Sequence, residues 1–205
     1  MINAFIPIKS YSERIKNKNF RLYKDLKLYT YIINSALNAN CFDNIYIDTD
    51  SDEIKKFAFK LGCKIIDRKP NLASDFANGN DLIVEHMNID SDFYFQLFAT
   101  APELKPESIK YCVDFLKSNN KRYDSIFTVE KDYGWYWFNN LPVNYRPSVL
   151  PRSQDAEPII KETTGLYGIT KESLFKYKCR IGARPYMYEL TGAETKDIDW
   201  ESDLK

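Results

Sequence analysis

Apolar positions in this chain come in short unbroken runs that alternate with stretches of helical spacing. Residues 3–8 (NAFIPI) are nearly all apolar and give way to a polar stretch at 9–19, the pattern of a buried first strand followed by a loop. Leu26, Tyr29, Ile32, Ile33, Ala36 and Leu37 then recur at helical spacing. A second strand is predicted over 44–48, and Ser51-Asp52-Glu53 opens a helix whose inward face is Ile54, Phe57, Ala58 and Leu61, with Gly62 as its stop. The alternation continues with a strand at 64–67, a helix at 81–87, a strand at 93–98, a helix at 106–117 and a strand at 125–129. Strand and helix in strict turn predict an α/β fold, a doubly wound and mostly parallel sheet covered on both faces, with ligands beyond the C-terminal ends of its strands.

The alternation breaks over residues 130–158, an aromatic and proline-rich stretch without helical periodicity, before strands return at 159–170 and 185–190. Trp135, Tyr136, Trp137 and Phe138 lie in it. Aromatic residues are enriched in cores and at interfaces alike, so the stretch reads equally as an irregular flap or as a patch that asks for a partner subunit. With no repeat and no low-complexity linker, the chain is expected to be one domain over 1–205 carrying 130–158 as an insertion.

Composition narrows the functions available. Lys plus Arg equals Asp plus Glu at 29 each in 205 residues, which provides no basic field for nucleic acid or an anionic membrane. Cys41, Cys63, Cys112 and Cys179 follow no metal or redox spacing and read as reduced. The start MINAFIPIKS lacks the pattern of a secretion signal, and no apolar run approaches the ~18 residues of a membrane span, so the cytoplasm is the expected location.

Two places carry candidate chemistry. The loop after the first strand gathers Lys9, Arg14, Lys16 and Lys18 with the hydroxyls of Ser10 and Ser12, where an α/β sheet presents its ligand. It has no glycine, so cationic side chains would neutralise a triphosphate in place of a glycine-rich backbone cradle; a solvated loop is the plainer alternative. Near the other end, Asp197-Ile198-Asp199 sets two carboxylates on one side of an extended segment, which suits Mg²⁺, although a polar strand end or helix cap gives the same pattern. His86 sits among Leu82, Ile83 and Met87 and reads as a core or helix-surface histidine, while Ser74 and Ser153 lack the glycine context of a nucleophile elbow.

Taken together these segments resemble the acylneuraminate cytidylyltransferases. IKSYSERIKNKN (8–19) looks like that family's signature loop, YIDTDSDEI (46–54) its second-strand motif, RKPNLASD (68–75) its arginine segment, ATAPELK (99–105) its TSPLR-like turn and DIDWESDL (197–204) its closing metal motif. The resemblance implies a Rossmann-like nucleotidyltransferase fold with a small dimerisation excursion, and transfer of CMP from CTP to a 2-keto acid sugar such as a sialic, legionaminic or pseudaminic acid or Kdo. It implies that Lys18 contacts the triphosphate beside Lys9 and Arg14, that Ser12 lies near the phosphates, that Asn19 and Arg68 hold the nucleoside with Asp75 in the same segment, and that Asp197 and Asp199 bind Mg²⁺. It places Thr100 of the turn and the 152–155 element, with Arg152 and Gln154, on the acceptor side, that element coming partly from the second subunit of a homodimer; by charge, Arg152 and Lys161 are candidates to face a sugar carboxylate.

Four features depart from the family pattern. Lys9 stands where arginine is usual, which would turn a bidentate phosphate contact into a single one. Phe98 replaces a common glutamine, and the turn at 99–105 has an extra residue after its proline. The chain ends roughly where the family's last helix begins. Two other classes stay open on sequence alone, a nucleotide-sugar-binding or glycosyltransferase-like protein on the same platform and an inactive homologue acting as an interaction protein.

Overall fold

The computed structural model describes residues 1–74 and 76–204. Its centre is a seven-stranded sheet built from β1 (Ile2–Pro7), β4 (Asn44–Thr49), β5 (Lys64–Asp67), β6 (Phe93–Leu97), β7 (Ser125–Asp132), β10 (Ile159–Thr170) and β11 (Pro185–Glu189). The strands lie in the order β11-β7-β10-β6-β1-β4-β5. All neighbours run parallel except β10, which is antiparallel to both β6 and β7. That reversal follows from connectivity: the chain leaves along β7, makes its excursion and returns directly, where a parallel return would need a crossover.

Alternation along the strands covers both faces. In β1, Ala4 and Ile6 point to the larger core, where Ile32, Ile33 and Ala36 of α1 (Leu28–Ala39), Ile54 and Ala58 of α2 (Asp52–Lys60) and Ile109, Cys112 and Leu116 of α4 (Pro106–Asn119) meet them. Phe5 points to the other face and packs with Tyr94, with Ile83 of α3 (Gly79–His86) and with Leu174 of α5 (Lys171–Tyr177). Each side chain fully removed from water in these layers contributes about 1.5–3 kcal/mol. The expected doubly wound, mostly parallel sheet is the architecture found.

Boundaries shift where local chemistry outweighs periodicity. The helix predicted at 81–87 begins at Gly79 because Asn78 and Asp81 close a capping box, the Asn78 side chain accepting from the Asp81 amide and the Asp81 carboxylate from the Asn78 amide. Gly62 ends α2 with φ +82°, as its position promised. A small hairpin, β2 (Leu22–Tyr23) with β3 (Leu26–Lys27), occupies the start of the stretch predicted as the first helix, and α5 is a further addition, too short to show periodicity. Within 130–158 lies another hairpin, β8 (Trp137–Phe138) and β9 (Leu141–Pro142). Asn139 and Asn140 both take positive φ between them, the backbone of a type I′ turn.

Candidate active site

The loop at 8–20 leaves the C-terminal end of β1 and folds over a cavity of about 320 Å³, a size suited to a small organic ligand. Lys9, Ser12, Arg14, Lys18 and Asn19 line one side, Arg68 and Ser74 another, and Phe98 and Thr100 the side nearest β6. The loop is tied down at both ends. The Asn19 amide donates to the Lys9 carbonyl at 2.8 Å, and the Ser10 backbone N–H and hydroxyl both donate to Asp50 beyond β4. A larger cavity of about 600 Å³ lies among Asp92, Thr170, Lys171 and Arg184, by the start of β6 and the end of β10. It sits at the pole opposite the C-terminal strand ends and contains none of the residues singled out from sequence.

The last segment closes on this loop from across the fold. Lys18 is buried, and its ammonium donates to the Ile198 carbonyl at 2.8 Å and lies 3.5 Å from Asp199 Oδ1. Burial pushes the Lys18 ammonium below its ordinary value, with the Asp199 charge acting against that. Arg14 pairs with Asp199 Oδ2 at 2.8 Å and lies over the Trp200 ring, and Arg21 forms a two-pronged pair with Glu201. Ile198 between the two carboxylates is wholly buried and packs with Ile15, Tyr23 and Leu28. The 3₁₀ turn Glu201–Leu204 follows, and Asp203 accepts from the amides of Asp199 and Trp200.

Asp197 is held by a residue that belongs to no motif, Thr164 of β10. Thr164 donates its hydroxyl to Asp197 Oδ2 at 2.7 Å. It does so from a backbone at φ 55°, inside the stretch of β10 where the register against β7 shifts between Glu162 and Tyr167. A β-branched residue in the left-handed region is strained by about 1–3 kcal/mol, and such strain is retained where the local geometry has a use. The other oxygen, Oδ1, is buried and has no hydrogen-bond partner among the described residues. A buried carboxylate oxygen without a donor is ordinarily unfavourable. Asp199 follows two residues on, and carboxylate oxygens are the type of donor a hard divalent cation takes; Mg²⁺ needs only one or two of them because water and phosphate oxygens complete its shell. Among the described residues no cluster of three or more His, Cys, Asp or Glu side chains offers a self-sufficient metal cage.

The Arg68 side of the cavity rests on a buried ion pair. Arg68, just past β5, donates from Nε to Asp48 Oδ1 at 3.0 Å and from Nη2 to the Asp48 carbonyl at 2.8 Å. His86 Nε2 lies 3.0 Å from Asp48 Oδ2. Burial alone would raise the Asp48 carboxyl, but His86 and Arg68 outweigh it and hold it below the usual carboxylate range. His86 is therefore a core histidine, as its apolar setting suggested, and it is bonded beneath the pocket.

The remaining expected residues are distributed unevenly. Thr100 lines the cavity, and its carbonyl accepts the Ile198 amide at 2.8 Å. Lys161 pairs with Glu130 at 2.6 Å, while Arg152, exposed, pairs with Asp155 and Gln154 is also exposed; none of the three lines the cavity in the single chain. Asp75 lies outside the described residues.

Comparison with known proteins agrees with this geometry. The profile of the cytidylyltransferase family matches residues 4–188. N-acylneuraminate cytidylyltransferase A of Danio rerio is 27% identical over 212 residues, covering 98% of this chain and 49% of that protein. The CMP-N,N'-diacetyllegionaminic acid synthase of Legionella pneumophila is 28% identical over 65% of this chain and 61% of its own. Thus the chain spans about half the length of the first curated relatives it matches. Among solved structures, a CMP:2-keto-3-deoxy-manno-octonic acid synthetase complexed with CTP superposes with a TM-score of 0.72 at 17% identity, covering 100% of this chain and 95% of that one.

Proposed function

The chain belongs to the cytidylyltransferase family, and from that premise we propose that it transfers CMP from CTP to a 2-keto acid sugar of the sialic, legionaminic, pseudaminic or Kdo type, releasing pyrophosphate. The observation that carries this reading is the convergence of Lys18 and Arg14 on Asp199, with Asp197 Oδ1 buried and unpartnered beside it. Cations assigned to a triphosphate thus line the cavity, and Asp199 of the C-terminal segment meets two of them.

In the proposed reaction a hydroxyl of the sugar attacks the α-phosphorus of CTP in line. The new P–O bond forms as the bond to the β-phosphate oxygen breaks, and the charge that accumulates leaves on pyrophosphate. Catalysis of this kind rests on positioning and on charge stabilisation. Lys9, Arg14 and Lys18 are assigned to the phosphates, with the Ser12 hydroxyl alongside. A dry ammonium such as that of Lys18 acts more strongly on phosphate than one in bulk water. Asn19 and Arg68 take the nucleoside, and Asp75 belongs to the same segment. Cytidylyltransferases of this kind generally use a divalent metal ion. We assign Mg²⁺ to Asp197 and Asp199, where it would neutralise the phosphates and acidify the attacking hydroxyl.

The acceptor side is assigned to Thr100 and Lys161 within the chain and to Arg152 and Gln154 through a homodimer. The support is the arm: Trp137, Phe138 and Leu141 are exposed at 57%, 72% and 68% on its hairpin, an apolar surface that a second copy would cover. The chain is thus taken as one catalytic unit with 130–158 as its dimer arm, working in the cytoplasm, where CTP is supplied. No helix among the described residues is long and apolar enough to cross a membrane, and all four cysteines are free.

Two measurements test these assignments. Incubation with CTP, Mg²⁺ and a panel of 2-keto acid sugars should release pyrophosphate with at least one acceptor; silence across the panel overturns the activity. Light scattering on the eluting protein should give twice the chain mass, falling to the single-chain mass in the Trp137→Ser/Phe138→Ser variant. A monomeric wild type removes the dimer and with it the roles of Arg152 and Gln154.

A further inference from the structure

Arg68 is useful to a nucleotide only if its guanidinium is held in one orientation, and its own strand does not achieve that. Nε and Nη2 are both committed to Asp48, which leaves Nη1, at the wall of the cavity, without a protein partner among the described residues. The direction of Nη1 is therefore set by the Asp48 carboxylate. That carboxylate is in turn fixed at its second oxygen by His86 Nε2 at 3.0 Å. An ionised carboxylate offers only acceptors, so the hydrogen of His86 must sit on Nε2. The opposite ring nitrogen, Nδ1, is buried without a partner among the described residues, and the ring stacks on Phe5 at 4.6 Å and 11°. The bond from Nε2 to Asp48 is therefore the one polar contact that the ring makes among the described residues.

We propose that His86 is a positioning residue of the nucleotide pocket: by donating to Asp48 Oδ2 it fixes the carboxylate that aims Arg68 Nη1 at the acceptor-rich edge of a pyrimidine base. The inference rests on the cytidylyltransferase reading for the identity of the base, and on the structure alone for the chain from His86 to Arg68. Cytosine presents O2 and N3 as adjacent acceptors, which a free guanidinium nitrogen held in place can meet. A guanidinium free to rotate about its last bonds would lose that directional contact and pay ordering entropy on binding.

Two substitutions separate this role from packing. His86→Phe keeps the stack on Phe5 and removes the donor; His86→Gln keeps an N–H at the reach of Nε2 and loses the ring. Two readouts apply to each. In the ligand-free protein, ¹⁵N-edited spectra follow the Arg68 Nε–H, assigned by its loss in Arg68→Lys. Its exchange with water should be slow in the wild type and in His86→Gln, and at least about tenfold faster in His86→Phe. Calorimetric titration with CTP should give a Kd about tenfold weaker in His86→Phe and within about threefold of wild type in His86→Gln. The reverse order, with His86→Gln the more impaired, would mean that the ring serves packing only and overturns the proposal, as would an unchanged Arg68 signal in His86→Phe. Failure of the wild type to bind CTP would count against the cytidylyltransferase reading, and the Arg68 exchange rates would still decide the role of His86.

Discussion

Asp199→Ala lowers the turnover number for CMP-sugar formation by about 10³-fold, on the order of 4 kcal/mol of transition-state stabilisation. Nucleotide binding and folding should respond quite differently. In this structure Asp199 is neutralised by Arg14 and Lys18, the same cations assigned to the triphosphate. Removing the carboxylate frees both, so the affinity for CTP measured in EDTA should hold or rise while turnover with Mg²⁺ collapses. The Asp199 side chain is one-third exposed, and an ion pair at such a site is worth about 1 kcal/mol or less, so the melting temperature should move by only a few degrees. Paramagnetic resonance with Mn²⁺ as the probe adds a readout independent of turnover, in which the ternary complex with CTP should bind the ion more weakly in the variant. A purely structural clasp between loop and C-terminal segment predicts the opposite pattern, with stability lost and residual turnover tracking the folded fraction. Near-wild-type turnover in a folded Asp199→Ala protein sinks the metal assignment.

What made this site legible in the sequence was charge and chain order, and what hid the rest was tertiary geometry. Lys18, Arg14 and the 197–199 pair lie about as far apart in sequence as the chain allows, yet the strand and helix alternation already required the loop after the first strand to lie at the ligand-binding edge of the sheet. Thr164 was invisible by contrast. A threonine in a β-strand is ordinary, and nothing local announces that it will adopt φ 55° and turn its hydroxyl to Asp197. Asp48 and His86 were hidden for a related reason. Each looked like a polar residue in an apolar pattern, and only the register of β4 against β5 and the seating of α3 on Phe5 bring the two together with Arg68. The hairpin at Trp137–Pro142 has a local signal, since Asn139-Asn140 between apolar pairs suits a tight turn, but the aromatic residues around it fit an interface equally well. Arg152 and Gln154 rest on resemblance, because a contribution from a second copy would leave no mark on the geometry of one chain.

The largest loss of stability is expected at Asp48. Its carboxylate is 2% exposed and serves, among the described residues, as the only charged partner of a guanidinium that is 3% exposed, with His86 fully buried on its other oxygen. Asp48→Ala leaves Arg68 charged and dry and strips His86 of its acceptor, the circumstance in which breaking a buried pair costs about 3–5 kcal/mol. For a chain of this length that corresponds to a fall of roughly 10 °C in melting temperature. The dependence on pH identifies the cause. Asp48 is held below its ordinary value in the folded protein, so the stability it supplies is fully present above the unfolded value of 3.8 and is lost as pH falls through the lower folded value. Urea unfolding of wild type and variant should therefore run in parallel from neutral pH down to about 4, and the gap between them should narrow below that as the wild-type carboxylate takes up its proton. Carboxylates common to both proteins cancel in the difference. Replacing both charges, as Asp48→Leu/Arg68→Met, should recover much of what Asp48→Ala loses, because no charge is then left buried, while CTP binding should not return. A cost below about 1 kcal/mol for Asp48→Ala, or a gap that widens in acid, would show that Arg68 finds another partner or water on losing Asp48, and the Asp48 carboxylate could then no longer be what orients Arg68 toward the nucleotide.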